Sequence, residues 1–269
     1  MLNAPTHLVI PAGALDPQHG AGRLCFVPGS RARAARLASH FSDVTVHRNP
    51  LGHDVHVGTL EGPGGPVDVA SVHTGMGTAS VDIIVSELIF FGIRRFLRVG
   101  TAGSLQPDTV KVDDVVVATA AVRDEGASQR YAPLEFPAIA SPMMVHGLTG
   151  AAERLALDRH VHSGVVHSKD SLFAREFGVG PLADQNVAYM QLMARLGVLA
   201  SEMEASHLFV LAHVHTAILG LRGRSAIQAG AILAIVGDHD VARERSAAES
   251  GEARAIAIAL EAARTMGSD

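Results

Sequence analysis

The run Phe96-Leu97-Arg98-Val99-Gly100-Thr101-Ala102-Gly103 restricts the possible folds of this chain more than any other stretch. Its first half is apolar enough for a buried strand, and its second half is a turn of small residues. Glycines there let backbone N–H groups come close to a ligand, and Thr101 adds a hydroxyl. Arg98 is the exception inside the apolar half. A guanidinium on a buried strand needs an anionic partner, because an unpaired buried charge is very costly. Two readings stand open on the sequence alone. Arg98 belongs to an anion site at the end of a central sheet, or it pairs with a structural carboxylate.

The remaining segments supply such a sheet. Residues 23–28, 45–47, 54–60, 67–72, 112–122, 161–167 and 229–236 have strand character. Helical spacing marks 31–41, 78–91, 141–157, 182–196, 201–213 and 243–266. Alternation of this kind predicts an α/β fold with a largely buried sheet. No repeat and no Ser/Pro/Gly linker divides the chain, so one domain over residues 1–269 is expected. Hydrophobic residues make up 48% and charged residues 18%, which is ample for a sizeable core and excludes a disordered chain. In such sheets ligands collect outside the strand ends. The turns at Gly29, Thr74, Thr101, Ser168 and Gly237 are therefore candidates for one shared pocket.

Charge narrows the classes of partner. A formal net charge of −5 gives no broad basic surface for nucleic acid or an anionic membrane. Any anion must be held by a local cluster of arginines. The single cysteine, Cys25, lies in an apolar run, which excludes an internal disulfide and fits a reducing compartment. The first residues lack the basic and apolar regions of a signal peptide, and no apolar run reaches membrane-spanning length. A soluble cytoplasmic protein is expected.

Other candidate sites weigh differently. Gly75-Met76-Gly77-Thr78-Ala79-Ser80 lies between a strand and a helix but lacks the third glycine and the later acidic residue of a dinucleotide fingerprint. Glu202-Met203-Glu204 sits between apolar runs, at the start of the 201–213 helix. On a helix, carboxylates at i and i+2 point apart. Carboxylates in such surroundings are expected to be buried and paired, and a vicinal diol such as that of ribose would satisfy one. The two His-Val-His pairs, His160/His162 and His213/His215, have no accompanying cysteine or carboxylate set for a metal. They are read as surface or packing residues. Ser171 lacks a nucleophile-elbow context.

Taken together, these segments resemble the nucleoside phosphorylase family of the uridine and hexameric purine type. Pro28-Gly29-Ser30-Arg31-Ala32-Arg33 resembles its phosphate loop, Thr74-Gly75-Met76-Gly77 its Thr-Gly-Ile/Met-Gly turn, and Arg98-Val99-Gly100-Thr101-Ala102-Gly103 its Arg-x-Gly-Thr-x-Gly signature. Glu202-Met203-Glu204 matches a ribose-binding Glu-Met-Glu, and the Ala127–Pro137 segment looks like that of uridine phosphorylases. The resemblance implies an α/β domain with a central mixed β-sheet flanked by helices. It also implies dimers assembling into hexamers, with active sites shared across the dimer. Carried over by position, Gly29, Arg33, Arg98 and Thr101 hold phosphate, joined by Arg48 of a second subunit. Thr101, Met203 and Glu204 hold the ribose, with His7 of a second subunit at its 5′-hydroxyl. Arg98 and Glu204 take part in catalysis. No metal or organic cofactor is implied, and inorganic phosphate is the co-substrate.

The base pocket departs from the pattern. Gly103, Leu172, Phe173, Glu176 and Asp238 fall at base-contacting positions. Glu176 stands where uridine phosphorylases have a glutamine, and Gly178 where they have an arginine, which Arg175 is placed to replace. Asp238 falls on the aspartate that protonates the base in purine enzymes. Phosphorolysis of nucleosides in the manner of uridine phosphorylase is the leading expectation. The alternatives are a purine nucleoside phosphorylase with Asp238 as general acid, a nucleosidase, or a non-catalytic nucleoside-binding relative.

Overall fold

Short apolar runs bounded by turns find their hydrogen bonds in one ten-stranded sheet in the computed structural model. The structure describes residues 5–20, 22–237 and 245–266, apart from the side chains of 245–248. In chain order the elements are β1 (Leu24–Phe26), α1 (Arg31–Ala38), β2 (Ser42–His47), β3 (Val55–Gly62), β4 (Gly65–Ser71), α2 (Thr78–Phe90), β5 (Arg95–Ser104) and β6 (Val115–Asp124). There follow β7 (Ala138–Ile139), α3 (Pro142–Arg154), β8 (Val161–Lys169), α4 (Ala183–Arg195), β9 (Ala200–Glu202), α5 (Ala205–Ile218), β10 (Gln228–Gly237) and α6 (Arg245–Met266). The expected α/β architecture, a central mixed sheet flanked by helices, is the one observed.

The strand order is β10-β6-β8-β9-β5-β1-β4-β3-β2, with β7 on β6. β10 also pairs with β5, so β5, β9, β8, β6 and β10 close into a ring from which the other strands extend. β1, β4, β5 and β10 run parallel, which brings their C-terminal ends to one edge. β9 runs antiparallel to β5, with Ser201 opposite Gly103. The chain beyond Ser201 therefore returns alongside β5 toward Arg98.

Helices cover both faces of the sheet. α2 and α5 close one core with Val81, Ile84, Leu88, Leu208 and Phe209. α1, α3 and α6 close the other with Leu37, Met144, Leu148, Ile256 and Ala259. Each such leucine, isoleucine or phenylalanine contributes about 1.5–3 kcal/mol by leaving water. The alanines of α6 let it lie close against β10 and α3.

One expected element is different. Residues 201–213 do not form a single helix: Ala200–Glu202 is strand, and helix begins at Ala205. The apolar periodicity of the helix runs back to Met203 in the sequence, but pairing with β5 and β8 claims the three residues before it. Glu202 and Glu204 consequently do not point apart. The turn between them aims both at the same partner.

Candidate active site

Six chain segments meet in a cavity of about 470 Å³ at the shared strand edge. The loop from β1 to α1 contributes Gly29, Ser30, Arg31 and Arg33, and the loop from β4 to α2 contributes His73, Gly75 and Met76. Arg98, Thr101, Ala102 and Gly103 come from β5, Lys169 and Leu172 from the end of β8 and beyond, and Ser201 to Glu204 from β9 and the approach to α5. Val236 lines it from the end of β10. Local chemistry fixes each approach. Ser30 caps α1, its hydroxyl accepting the Arg33 N–H at 3.2 Å. Gly77 caps α2 with a φ of 84°, a left-handed conformation that glycine adopts without strain.

Arg98 is the hub. Its Nε donates to Glu202 Oε2 at 3.0 Å and its Nη2 donates to Glu204 Oε2, with all three side chains buried. Gly100 makes this fold-back possible, since a Cβ there would stand 2.9 Å from Arg98 Nη2. The carboxylate pairing left open by the sequence is therefore real, but it does not exhaust the guanidinium. Arg98 Nη1 is buried and has no hydrogen-bond partner among the described residues. A Cβ on Gly29 would be 3.9 Å from that nitrogen, so the glycine keeps the space before it open. Arg33 lines the same cavity, held by Glu252 at 2.8 Å.

The two glutamates occupy different electrostatic settings. Burial alone would raise the Glu202 carboxyl. Arg98, the Ser168 hydroxyl and the N–H groups of Ala205 and Glu204 outweigh burial and hold it below its ordinary value. Those N–H groups open α5, whose dipole also favours a carboxylate. Glu204 is pushed up, by burial first and by neighbouring Glu202, with Arg98 and the Gly77 N–H opposing. Gly77 donates to Glu204 Oε1 at 2.7 Å. Glu202 is thus a fixed anchor for Arg98, while Glu204 faces the cavity with a carboxyl easier to protonate.

The far end of the cavity has another composition. Lys169 is buried, donating to Ser201 Oγ at 2.8 Å and pairing with Glu176 Oε2 at 2.6 Å. Glu176 lies behind Gly103, where a Cβ would come within 3.0 Å of its Oε1. Leu172 lines the cavity, whereas Phe173 is 67% exposed at its rim, edge-on to Phe177.

Comparison with known proteins decides the family. A model described as "Phosphorylase superfamily" matches residues 23–264. The chain belongs to the phosphorylase superfamily. It is 35% identical over 218 residues to a uridine phosphorylase of Treponema pallidum, covering 81% of this chain and 78% of that one. It is 34% identical over 253 residues to a uridine phosphorylase of Escherichia coli, covering 90% and 92%. It is 29% identical over 265 residues to a guanosine phosphorylase of Halorubrum lacusprofundi, covering 95% and 96%.

Within this superfamily enzyme, Gly29, Arg33, Arg98, Thr101, Gly103, Leu172, Met203 and Glu204 come together around one cavity, as their sequence positions suggested. Arg48 and His7 stand away from it. Arg48 is 81% exposed and 3.8 Å from Asp54. His7 bonds Glu87 at 2.9 Å, an α2 glutamate that also accepts backbone N–H groups of Thr6, His7 and Leu8. Asp238 lies outside the described residues. Arg175 is not available to the cavity: it grips Asp124 at 2.7 Å, donates to Asn186 at 2.8 Å and lies over the Tyr189 ring. His160 and His162 share Asp114, and His213 bonds the Ile139 carbonyl. Sequence reasoning missed Lys169 and the anchoring role of Glu202. The available signal was their position: Lys169 ends β8 beside Ser168, one of the five strand-end turns. None of the described helices is long and apolar enough to cross a membrane.

Proposed function

We propose that this enzyme catalyses phosphorolysis of nucleosides, giving the free base and a pentose 1-phosphate, in the manner of the uridine phosphorylases it is similar to. The observation that carries the reading is the unpartnered Arg98 Nη1 facing a space kept open by Gly29, with Arg33 on the same wall and Glu204 beside it. Gly29, Arg33, Arg98 and Thr101 hold the phosphate, since guanidinium forks and close backbone N–H groups suit an oxyanion. Met203 and Glu204 hold the ribose, the carboxylate accepting from its hydroxyls. Arg48 and His7 complete the site from a second subunit, as part of a dimer-based hexamer.

In the reaction a phosphate oxygen closes on C1′ while the C1′–N bond breaks and its electron pair leaves with the base. The proton of the monohydrogen phosphate ends on the base, so the exchange balances. Positioning phosphate beneath C1′ replaces a bimolecular encounter with an intramolecular one. Phosphate and Glu204 together offset the positive charge that grows on the sugar. Glu202 acts one step back, holding Arg98 in place. No metal or organic cofactor takes part, and the site is that of a cytoplasmic enzyme of nucleoside salvage.

The test is an assay of uridine, thymidine, inosine, guanosine and adenosine with and without phosphate. The expected result is base release that depends on phosphate and is matched by pentose 1-phosphate. Free ribose formed without phosphate would instead establish a nucleosidase.

A further inference from the structure

Lys169 and Glu176 form a buried ion pair at the end of the cavity away from Arg98. Arg98 and Gly103 are five residues apart on β5, roughly 15 Å along a strand. That length accommodates a phosphate and a nucleoside end to end, which places the base beside Gly103, Leu172 and Lys169. Resting on the phosphorylase reading, we propose that Lys169 determines specificity by donating to a carbonyl of the base, beside Glu176 accepting the adjacent ring N–H. The substrate class is then nucleosides with an oxo group next to a ring N–H: uracil or 6-oxopurine bases, with cytosine and adenine rejected.

The hydrogen-bond inventory supports this. An ammonium has three N–H donors. Ser201 Oγ at 2.8 Å takes one, and the Glu202 carbonyl at 3.4 Å is too far for a strong bond, while Glu176 Oε2, 2.6 Å away, is paired by charge but is not aligned as a hydrogen-bond acceptor. Lys169 lines the cavity, so a ligand carbonyl can supply the better acceptor. Glu176 Oε2 is buried and accepts no hydrogen bond among the described residues, and its neighbour Oε1 lies 3.0 Å from where a Gly103 Cβ would be. A side chain at 103 would wall this oxygen off; glycine leaves it next to the cavity. The result is a donor and an acceptor side by side, complementary to a C=O/N–H edge. Cytosine or adenine in the same pose sets an amino group against the ammonium and a ring nitrogen lone pair against the carboxylate.

The experiment compares kcat/KM for uridine with cytidine, and for inosine with adenosine, at saturating phosphate. Wild type is expected to favour the oxo member of at least one pair by about 100-fold, since a site built to hydrogen-bond one edge rejects the edge of opposite polarity. The double variant Lys169→Met/Glu176→Gln removes both charges together and keeps the buried site neutral. It should bring the ratio to within about tenfold, with phosphate KM moving less than roughly threefold. A second variant, Glu176→Gln alone, should gain on cytidine relative to uridine, because a glutamine amide can donate to N3. An unchanged ratio in either variant, or a wild-type preference for the amino bases, overturns the proposal. If wild type cleaves no nucleoside, the phosphorylase reading fails by itself. Calorimetry with uracil, cytosine, hypoxanthine and adenine then tests the edge directly: tighter binding of the oxo bases supports the proposal, and equal binding of all four overturns it.

Discussion

The two ends of the cavity are built by different means. At the end proposed to hold phosphate, Gly29, Arg33 and Glu204 sit at a strand end and two helix starts, and Arg98 lies within β5, paired with Ala231 of β10. At the end proposed to take the base, Leu172, Phe173 and Glu176 lie on one wide helical turn outside the sheet, tied back by Glu176 to Lys169 and by Arg175 to Asp124 and Asn186. A reaction step common to all substrates needs fixed geometry, which the sheet provides. On the proposed reading, selectivity among bases rests on a loop, where substitutions leave the core undisturbed. On this account, changes at the anion end damage chemistry and phosphate use, and changes at the base end damage nucleoside choice.

The largest expected effect is at the hub. Arg98→Met should lower kcat/KM by about 10³-fold, since it removes an electrostatic contact to the reacting phosphate. It also leaves Glu202 and Glu204 buried without their counter-charge, an expected loss of about 3–5 kcal/mol in chemical denaturation. An Arg98→Met enzyme that retains normal activity and stability would break the division between the two ends.

Glu204→Gln comes next, with kcat/KM reduced by about 10²-fold. Its pH dependence has a definite sign. The ionised carboxylate is the form that accepts from sugar hydroxyls, and burial raises this carboxyl above the ordinary 4.5 of a glutamate. Activity should therefore fall as pH decreases through a value above 4.5, and the variant's profile should lack that limb. An acid limb unchanged in Glu204→Gln would assign it to another group.

The smallest effect sharpens the contrast from the other side. Gly103→Ala places a methyl group 3.0 Å from Glu176 Oε1. Nucleoside KM should rise by about tenfold while phosphate KM stays within about twofold. Equal increases in both constants would show that the two ends are not separable.

That Gly29, Arg33, Arg98 and Thr101 line one cavity was legible in the sequence because they belong to short motifs at or near the ends of apolar strands. Arg98, Thr101 and Gly103 belong to one strand, and Ser30 and Arg33 to one helix start. The bent course of 200–205 was not legible, because its three strand residues are specified by partners in β5 and β8, far away in sequence. Apolar periodicity from Met203 onward is equally compatible with a longer helix. Lys169 gave no local sign of burial, since Ser201, Glu202 and Glu176 are what enclose it. Arg175 looked free in sequence for the same reason: Asp124, Asn186 and Tyr189, which occupy it, lie on other elements.

The central claim is that Arg33 and Arg98 hold one phosphate beneath a sugar fixed by Glu204. Steady-state kinetics of Arg33→Met with phosphate and nucleoside varied independently tests it most directly. The account predicts a rise of at least about tenfold in phosphate KM with nucleoside KM changed less than about threefold. A phosphate KM equal to that of wild type would contradict it.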